Sequence, residues 1–492
     1  MGIYHPSLFQ VNTRVWLTEL SSKLGKRATL DDIPDSELDN FAWRGFDWIW
    51  MLSVWQTGEA AKKISRSHAE WLHEFQETLP DLTEEDIGGS GFAIKAYEVP
   101  DALGGNAALA RLRKRLSDRG MKLMLDFVPN HMALDHPWLT SNPDYFVDGN
   151  EEAVAKAPKN FVRLKSGQNE VIKAYGRDPY FEGWPDTLQL NYANPACYEA
   201  MAQELEKIAS RCDGVRCDMA MLLLPDVFQR TWGQRPADFW PQATRRVREK
   251  HPGFLFMAEV YWDLEWTLQQ QGFDYTYDKK LYDRLKDGHA IPVREHLMAS
   301  PDFQNKSARF LENHDEPRIA ATMITPQLKA SAIITYFCPG LRFFHQGQLE
   351  GYRKRISPHL IRGPKESVDQ ILSSFYEKVL QILKEKTFRS GDWRLLECKA
   401  ASAGSSFNNF IAALWRGQGG RLFLIAVNFS PVQSQCLVAL PELGLVNQSC
   451  TFRDLLSDAK YTYPGNDMIS HGLYLDEPGW KIYVFEILVD NT

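Results

Sequence analysis

Arg211-Cys-Asp-Gly-Val-Arg-Cys-Asp-Met-Ala-Met-Leu-Leu-Leu-Pro225 is the stretch on which the reading of the chain turns. Within it, Gly214 to Asp218 reads as a short buried β-strand that delivers a carboxylate at its C-terminal end. Strand side chains alternate, so Arg216 and Asp218 share a side and Cys217 points away. An arginine two residues before an aspartate on one face holds it ionised and oriented. A single Arg-x-Asp is more often a plain structural ion pair. Three more apolar runs change that balance. FLFMAEV (254–260) leads to Glu259, ARFLENHD (308–315) to Asn313, His314 and Asp315, and MKLMLDFVPNHM (121–132) to Asp126, Asn130 and His131. Helical patterns separate the runs. Chemistry at the C-terminal ends of several strands is how a parallel (β/α)8 barrel presents its site.

Outward from these strands the alternation continues. NAALARLRKRLSDRG (106–120) repeats Leu109, Leu112 and Leu116 at helical spacing and stops at Gly120, just before the strand at 121. The first strand is expected over Val11 to Leu17 and the second in GFDWIWML (45–52). The sixth, in FDYTYD (273–278), carries the weakest pattern. LRFFHQGQ (341–348) is the eighth, and SVDQILSSFYEKVLQILKEK (367–386) closes the barrel as a long helix. Residues 132–192 show little periodicity, which points to an inserted subdomain after the third strand. From about 391 the pattern becomes alternating strands: FNNFIAALWRG (407–417), GRLFLIAVNFS (420–430), SQCLVALPE (434–442) and WKIYVFEI (480–487). The expected architecture is an α/β protein. A barrel spans 1–131 and 193–390, an inserted subdomain 132–192, and an antiparallel β-sandwich 391–492.

Length allows this plan: 492 residues accommodate a barrel of ~250 residues plus additions. A net charge of −7, with Lys and Arg scattered, argues against a nucleic-acid partner. No apolar run approaches the ~20 residues of a membrane span. The first residues lack a basic start followed by an apolar core, so no signal peptide is expected. The seven cysteines form no C-x-x-C and read as small core residues in a reducing compartment, which makes a cytoplasmic location the expectation. Neither H-x-x-x-H nor H-E-x-x-H occurs, so a catalytic metal is not expected.

Asp126-Phe-Val-Pro-Asn-His131, Gly214-Val-Arg-Cys-Asp218, Glu259-Val260 and Asn313-His-Asp315 resemble, in order, the four signature regions of the α-amylase family, glycoside hydrolase family 13. Trp184-Pro-Asp-Thr-Leu-Gln-Leu-Asn191 resembles a fifth. The resemblance implies a retaining enzyme on α-glucosidic bonds. Asp218 would be its nucleophile, Glu259 its general acid/base and Asp315 the third acid. Arg216, His131 and His314 match residues that hold the sugar, with Asp126 and Asn130 in the supporting motif. Phe92 stands where the family carries a sugar-stacking tyrosine. No cofactor is required; the resemblance allows a structural calcium at Asn130 and Asp186. Trp138, Tyr175, Tyr180, Trp184, Tyr261 and Trp262 lie in irregular stretches and are the candidates for stacking on sugars, whereas Trp48 and Trp50 read as core. Met221 and Leu222 replace the Lys and His that bind leaving-group sugars in α-amylases. They are read either as a weakened grip on long chains or as a helix start packed on the barrel. The expected substrate is therefore a short α-linked oligosaccharide. Hydrolysis, glycosyl transfer, isomerisation and phosphorolysis stay open, as does the oligomeric state. A non-catalytic scaffold, which usually lacks one of the acids, is the alternative from another class.

Overall fold

Strand β4, Gly214–Cys217, lies between β3, Lys122–Phe127, and β5, Leu255–Ala258, in parallel register. Arg216 is level with Asp126 on one side and Met257 on the other. Gly214 has no side chain for a steric reason: a Cβ there would meet the Leu255 carbonyl oxygen at 2.9 Å and the Trp48 ring at 3.0 Å. The barrel closes in the order β1 (Ser7–Asn12), β8 (Leu341–His345), β7 (Ser307–Arg309), β6 (Tyr275–Tyr277), β5, β4, β3, β2 (Trp48–Leu52). All pairings between these strands are parallel. The structure is a computed structural model that describes residues 5–166, 169–404, 406–440 and 448–489.

The first strand departs from expectation. It ends at Asn12, and Thr13–Leu24 is helix rather than the second half of a strand over Val11–Leu17. Asn12 makes the difference: its side chain caps the helix by accepting from the Val15 N–H at 3.4 Å. Helix Gly105–Ser117 buries Leu109, Leu112 and Leu116 as the spacing requires, and Gly120 beyond it takes a positive φ.

Between β3 and β4 the chain makes its excursion. His131–Ala133 pairs antiparallel with Thr187–Gln189, which clasps the base of the insertion. Phe161–Ser166 and Asn169–Ala174 form a hairpin above it. Past the barrel, a six-stranded sheet runs in the order 392–395, 410–416, 422–428, 482–489, 449–454, 460–464 and faces a three-stranded sheet. Alternation divides the faces of strand Phe410–Arg416. Phe410, Ala412 and Leu414 enter the sandwich core, while Ile411, Ala413 and Trp415 join the barrel core. Trp415 Nε1 donates to the Phe337 carbonyl at 2.7 Å. Pro441 and Glu442 of the predicted third strand lie outside the described residues.

Candidate active site

Register sets the height of the acids. The Asp218 N–H donates to the Phe127 carbonyl at 2.8 Å, and the Glu259 N–H donates to the Cys217 carbonyl at 3.0 Å. Each acid therefore stands one step past the last residue of its strand. Arg216 occupies the space between them. Its Nη1 donates to Asp218 Oδ1 at 2.6 Å and its Nη2 to Glu259 Oε2 at 2.7 Å. The guanidinium is 1% exposed and lies 5.5 Å from the Trp50 ring centre, 5.3 Å from Phe92 and 5.8 Å from Tyr277. Three aromatic faces and two carboxylates thus replace the water it has lost. Cys217 is fully buried and points away, and burial pushes its thiol well up.

Glu259 receives two further donors. Met219 N–H reaches Oε2 at 2.7 Å and the Tyr261 hydroxyl reaches Oε1 at 2.7 Å. Burial nevertheless dominates and raises Glu259 to about 7, against the lowering by Arg216. Met219 sits at φ +42°, a left-handed conformation for a non-glycine residue. Ser53 does the same at φ +63°, and its N–H reaches Asp126 Oδ2 at 3.2 Å. Such conformations cost about 1–3 kcal/mol each and persist where surrounding structure imposes them. Here each accompanies an N–H that points at an acid. Asp126 is likewise raised to about 7, by burial first, with Arg216 Nη1 4.0 Å away.

His314 is locked as a neutral ring. Gln10 Nε2 lies 2.9 Å from its Nδ1, so the amide donates and the ring proton sits on Nε2. Nε2 is 3.1 Å from Asp315 Oδ2. Burial and Arg216 hold its pKa far below the usual value. Phe92 stacks on the same ring at 5.3 Å and 24°. His131, also lowered by burial, bonds to the Phe92 backbone and packs 5.1 Å from Trp184. Asp315 opens outward, with 42% of its side chain accessible.

A cavity of about 320 Å³ brings these groups together. Asp218, Glu259, Asp315, His131 and Phe92 line it, with Asp186, Trp184, Tyr261 and Trp71. Arg216 and Asp126 lie beneath that lining. Met221 and Leu222 do not line it. They belong to a buried 3₁₀ turn, Ala220–Leu223, held by Trp240 Nε1 on the Ala220 carbonyl at 2.9 Å. Of the two readings of that run, packing on the barrel is the one observed. Of the six stacking candidates, Trp184 and Tyr261 reach the cavity. Trp138 packs on Tyr145 and His136, and Tyr180 packs on Trp262. Tyr175 also lies outside the lining.

Several contributors escaped the sequence reading. Ser53 follows β2, Tyr277 ends β6 and Gln10 lies within β1, and they act on Asp126, Arg216 and His314 respectively without any motif. Trp50, read as core, is fully buried and still forms a face for Arg216. Trp71, Pro358 and His359 come from a helix and a loop remote in sequence. The position of Ser53 just past the second strand was the one available signal.

The residues do not fit the structural calcium that the resemblance allowed at Asn130 and Asp186. Asn130 Oδ1 and its carbonyl oxygen each accept from Gln189 Nε2 at 3.0 Å. An amide donor thus stands where a cation would be required, and Asp186 lines the cavity instead. Among the described residues no group of three or more His, Cys, Asp or Glu side chains is placed to hold a metal ion.

Comparison with known proteins bears on the family and the fold. The family model for the α-amylase catalytic domain matches residues 45–388. The α-amylase MalA of Haloarcula japonica is 25% identical over 286 residues, 56% of this chain and 39% of that protein. α-Amylase 3 of Dictyoglomus thermophilum is 23% identical over 307 residues, 57% of each chain. This chain thus spans about two fifths to three fifths of the length of those relatives. The crystal structure of a noncanonic maltogenic α-amylase, AmyB, from Thermotoga neapolitana superposes with a TM-score of 0.70 at 18% identity, over 99% of this chain and 100% of that one. No helix of the described residues is long and apolar enough to cross a membrane. With the family model matching residues 45–388 and four of the five motifs at barrel strand ends, the chain belongs to the α-amylase family.

Proposed function

We propose that this chain is a retaining α-glycosidase that acts on short α-glucosides. One observation carries the reading: a single guanidinium joins the carboxyls of Asp218 and Glu259 at the rim of one cavity. Retaining glycosidases need two carboxyls close together, ~5–5.5 Å apart, whereas inverting ones leave room for a water. In the first step Asp218 Oδ attacks the anomeric carbon. The bond to the leaving oxygen breaks, and Glu259 gives that oxygen its proton. Its raised pKa keeps the proton available near neutral pH. In the second step Glu259 takes a proton from the incoming hydroxyl, which attacks the anomeric carbon and releases Asp218. Asp315, facing the cavity, engages sugar hydroxyls, and the neutral ring of His131 lines the same cavity without adding charge.

Cavity size supports a short substrate. About 320 Å³ lies at the low end of the ~300–1,000 Å³ of small-molecule pockets. The wall at Pro358 and His359 is tied down: Arg14 bonds the Pro358 carbonyl, and Arg362 bridges Asp81 and Asp86. The acceptor that takes the glucosyl group, whether water, sugar or phosphate, is a separate matter from this first half-reaction. Seven buried cysteines fit a reducing compartment, and a cytoplasmic location is part of the reading. With all three acids on one cavity, catalysis is favoured over a scaffold role.

The test is turnover on a panel of α-glucosides, with and without phosphate or acceptor sugars. Release of glucose, or of a glucosyl product, from at least one short α-glucoside is expected. Inactivity across the panel, with the acids intact, would refute the proposal.

A further inference from the structure

Asp186 is a buried acid of the barrel mouth with no basic partner among the described residues. Its side chain is 3% exposed, it lines the cavity beside Asp218 and Glu259, and its Oδ2 meets no hydrogen-bond partner among the described residues. Four other buried acids around the barrel do have basic partners. Arg216 serves Asp218 and Glu259, Arg318 serves Glu312, and His296 and Arg309 serve Asp278. Asp186 has its own backbone N–H and a burial that pushes it up to about 7. An acid buried without a partner is costly, and a group kept in that state at a cavity wall is completed by what enters the cavity.

Its setting is rigid. Asp186 sits in the turn closed by the Thr187 N–H on the Trp184 carbonyl at 3.1 Å, and Trp184 N–H is held by the Gly176 carbonyl at 2.8 Å. A Cβ on Gly176 would meet Thr187 Oγ1 at 2.7 Å and His131 Cβ at 2.8 Å, so the turn is pressed against His131. Gln189 already satisfies Asn130, which leaves Asp186 free of structural duty there. The cavity wall around it, Trp184, Thr187, His131 and Phe92, suits a ring with apolar faces and hydroxyl edges. A carboxylate offers about four acceptor sites and can take two neighbouring O–H donors.

Resting on the α-glucoside reading above, we propose that Asp186 is a specificity-determining residue that accepts hydrogen bonds from two adjacent hydroxyls of the bound sugar.

The test reads binding and turnover separately. Maltose is titrated into the Asp218→Asn variant, which holds the sugar without cleaving it, and tryptophan fluorescence is followed. Adding Asp186→Ala is expected to raise the Kd about 10- to 100-fold, as loss of hydrogen bonds to a charged acceptor requires. The titration is repeated with maltoses deoxygenated singly around the ring. For the sugar lacking a hydroxyl that Asp186 takes, the penalty of Asp186→Ala should shrink by about tenfold. Asp186→Asn, which keeps the side-chain shape, carries the same comparison if the alanine variant fails to fold. An unchanged maltose Kd would overturn the proposal. So would an equal penalty for every deoxy sugar, or maltose binding to none of the variants. Maltose binding through Asp186 without turnover by the native protein would instead defeat the catalytic reading and leave this one standing.

Discussion

Arg216 is the residue that makes two acids into one site. It bonds Asp218 and Glu259 at 2.6 and 2.7 Å from a nearly inaccessible position, so both carboxyls are oriented before any sugar arrives. Asp218→Asn and Glu259→Gln should each lower kcat by on the order of 10³-fold or more while the circular dichroism spectrum is retained. Near-normal turnover in either purified variant would contradict the assignment. The pH dependence follows from Glu259. Its folded value of about 7 lies above the ordinary ~4.3, so it is protonated below neutrality and loses the proton as pH rises through 7. The kcat/KM profile for a substrate with a poor leaving group should therefore fall on its alkaline side near pH 7. Tyr261→Phe removes a donor that favours the carboxylate, and should move that limb upward. A limb that stays below pH 5 in the native protein would contradict this account. Arg216 and Asp218 were legible in the sequence because strand alternation places them on one face. The positive φ of Ser53 and Met219 was not, since neither residue type signals a left-handed backbone.

At the scale of elements, the loop that follows β7 carries His314 and Asp315 and is pinned from within. Glu312, buried, accepts from Arg318 Nη1 at 2.7 Å and from the Ile319 N–H at 2.8 Å. Glu312→Ala would leave the buried Arg318 guanidinium without its carboxylate, with only the Gln346 and Lys354 carbonyls as acceptors, and should destabilise the fold by about 3–5 kcal/mol in denaturant unfolding. A change below 1 kcal/mol would show that Arg318 finds other acceptors. The 3₁₀ turn Ala220–Leu223 has the opposite character, since it contributes packing and no polar group to the cavity. Specificity constants should accordingly be higher for maltose-sized oligosaccharides than for soluble starch. Rapid loss of iodine staining through random internal cleavage would contradict that. The sequence allowed two readings of this run because apolar residues that pack a core and those that merely fail to bind a sugar look alike. The early helix start at Thr13 was missed for a different reason. Val11 to Leu17 is apolar enough for a strand, and the capping role of Asn12 decides the matter.

Across the whole molecule, eight short parallel strands fix the acids, and the insertion after β3 supplies one wall of the cavity through Trp184, Asp186 and Thr187. The barrel was readable because its chemistry recurs at strand ends in chain order. The placement of the insertion's side chains was not, because 60 or so residues without a regular period give no rule for which face looks inward. Asp186, which the resemblance allowed as a calcium ligand, borders the cavity instead, while Gln189 occupies Asn130. The central claim is a covalent glycosyl-enzyme on Asp218, and trapping it is the most direct test. The native protein is incubated with 5-fluoro-α-D-glucosyl fluoride, whose slow second step lets the intermediate accumulate, then digested and analysed by mass spectrometry. The account predicts one added fluoroglucosyl group on the peptide containing Asp218, with activity recovering as the label is released. An unlabelled protein that still cleaves α-glucosides, or a label on a different acid, would contradict it.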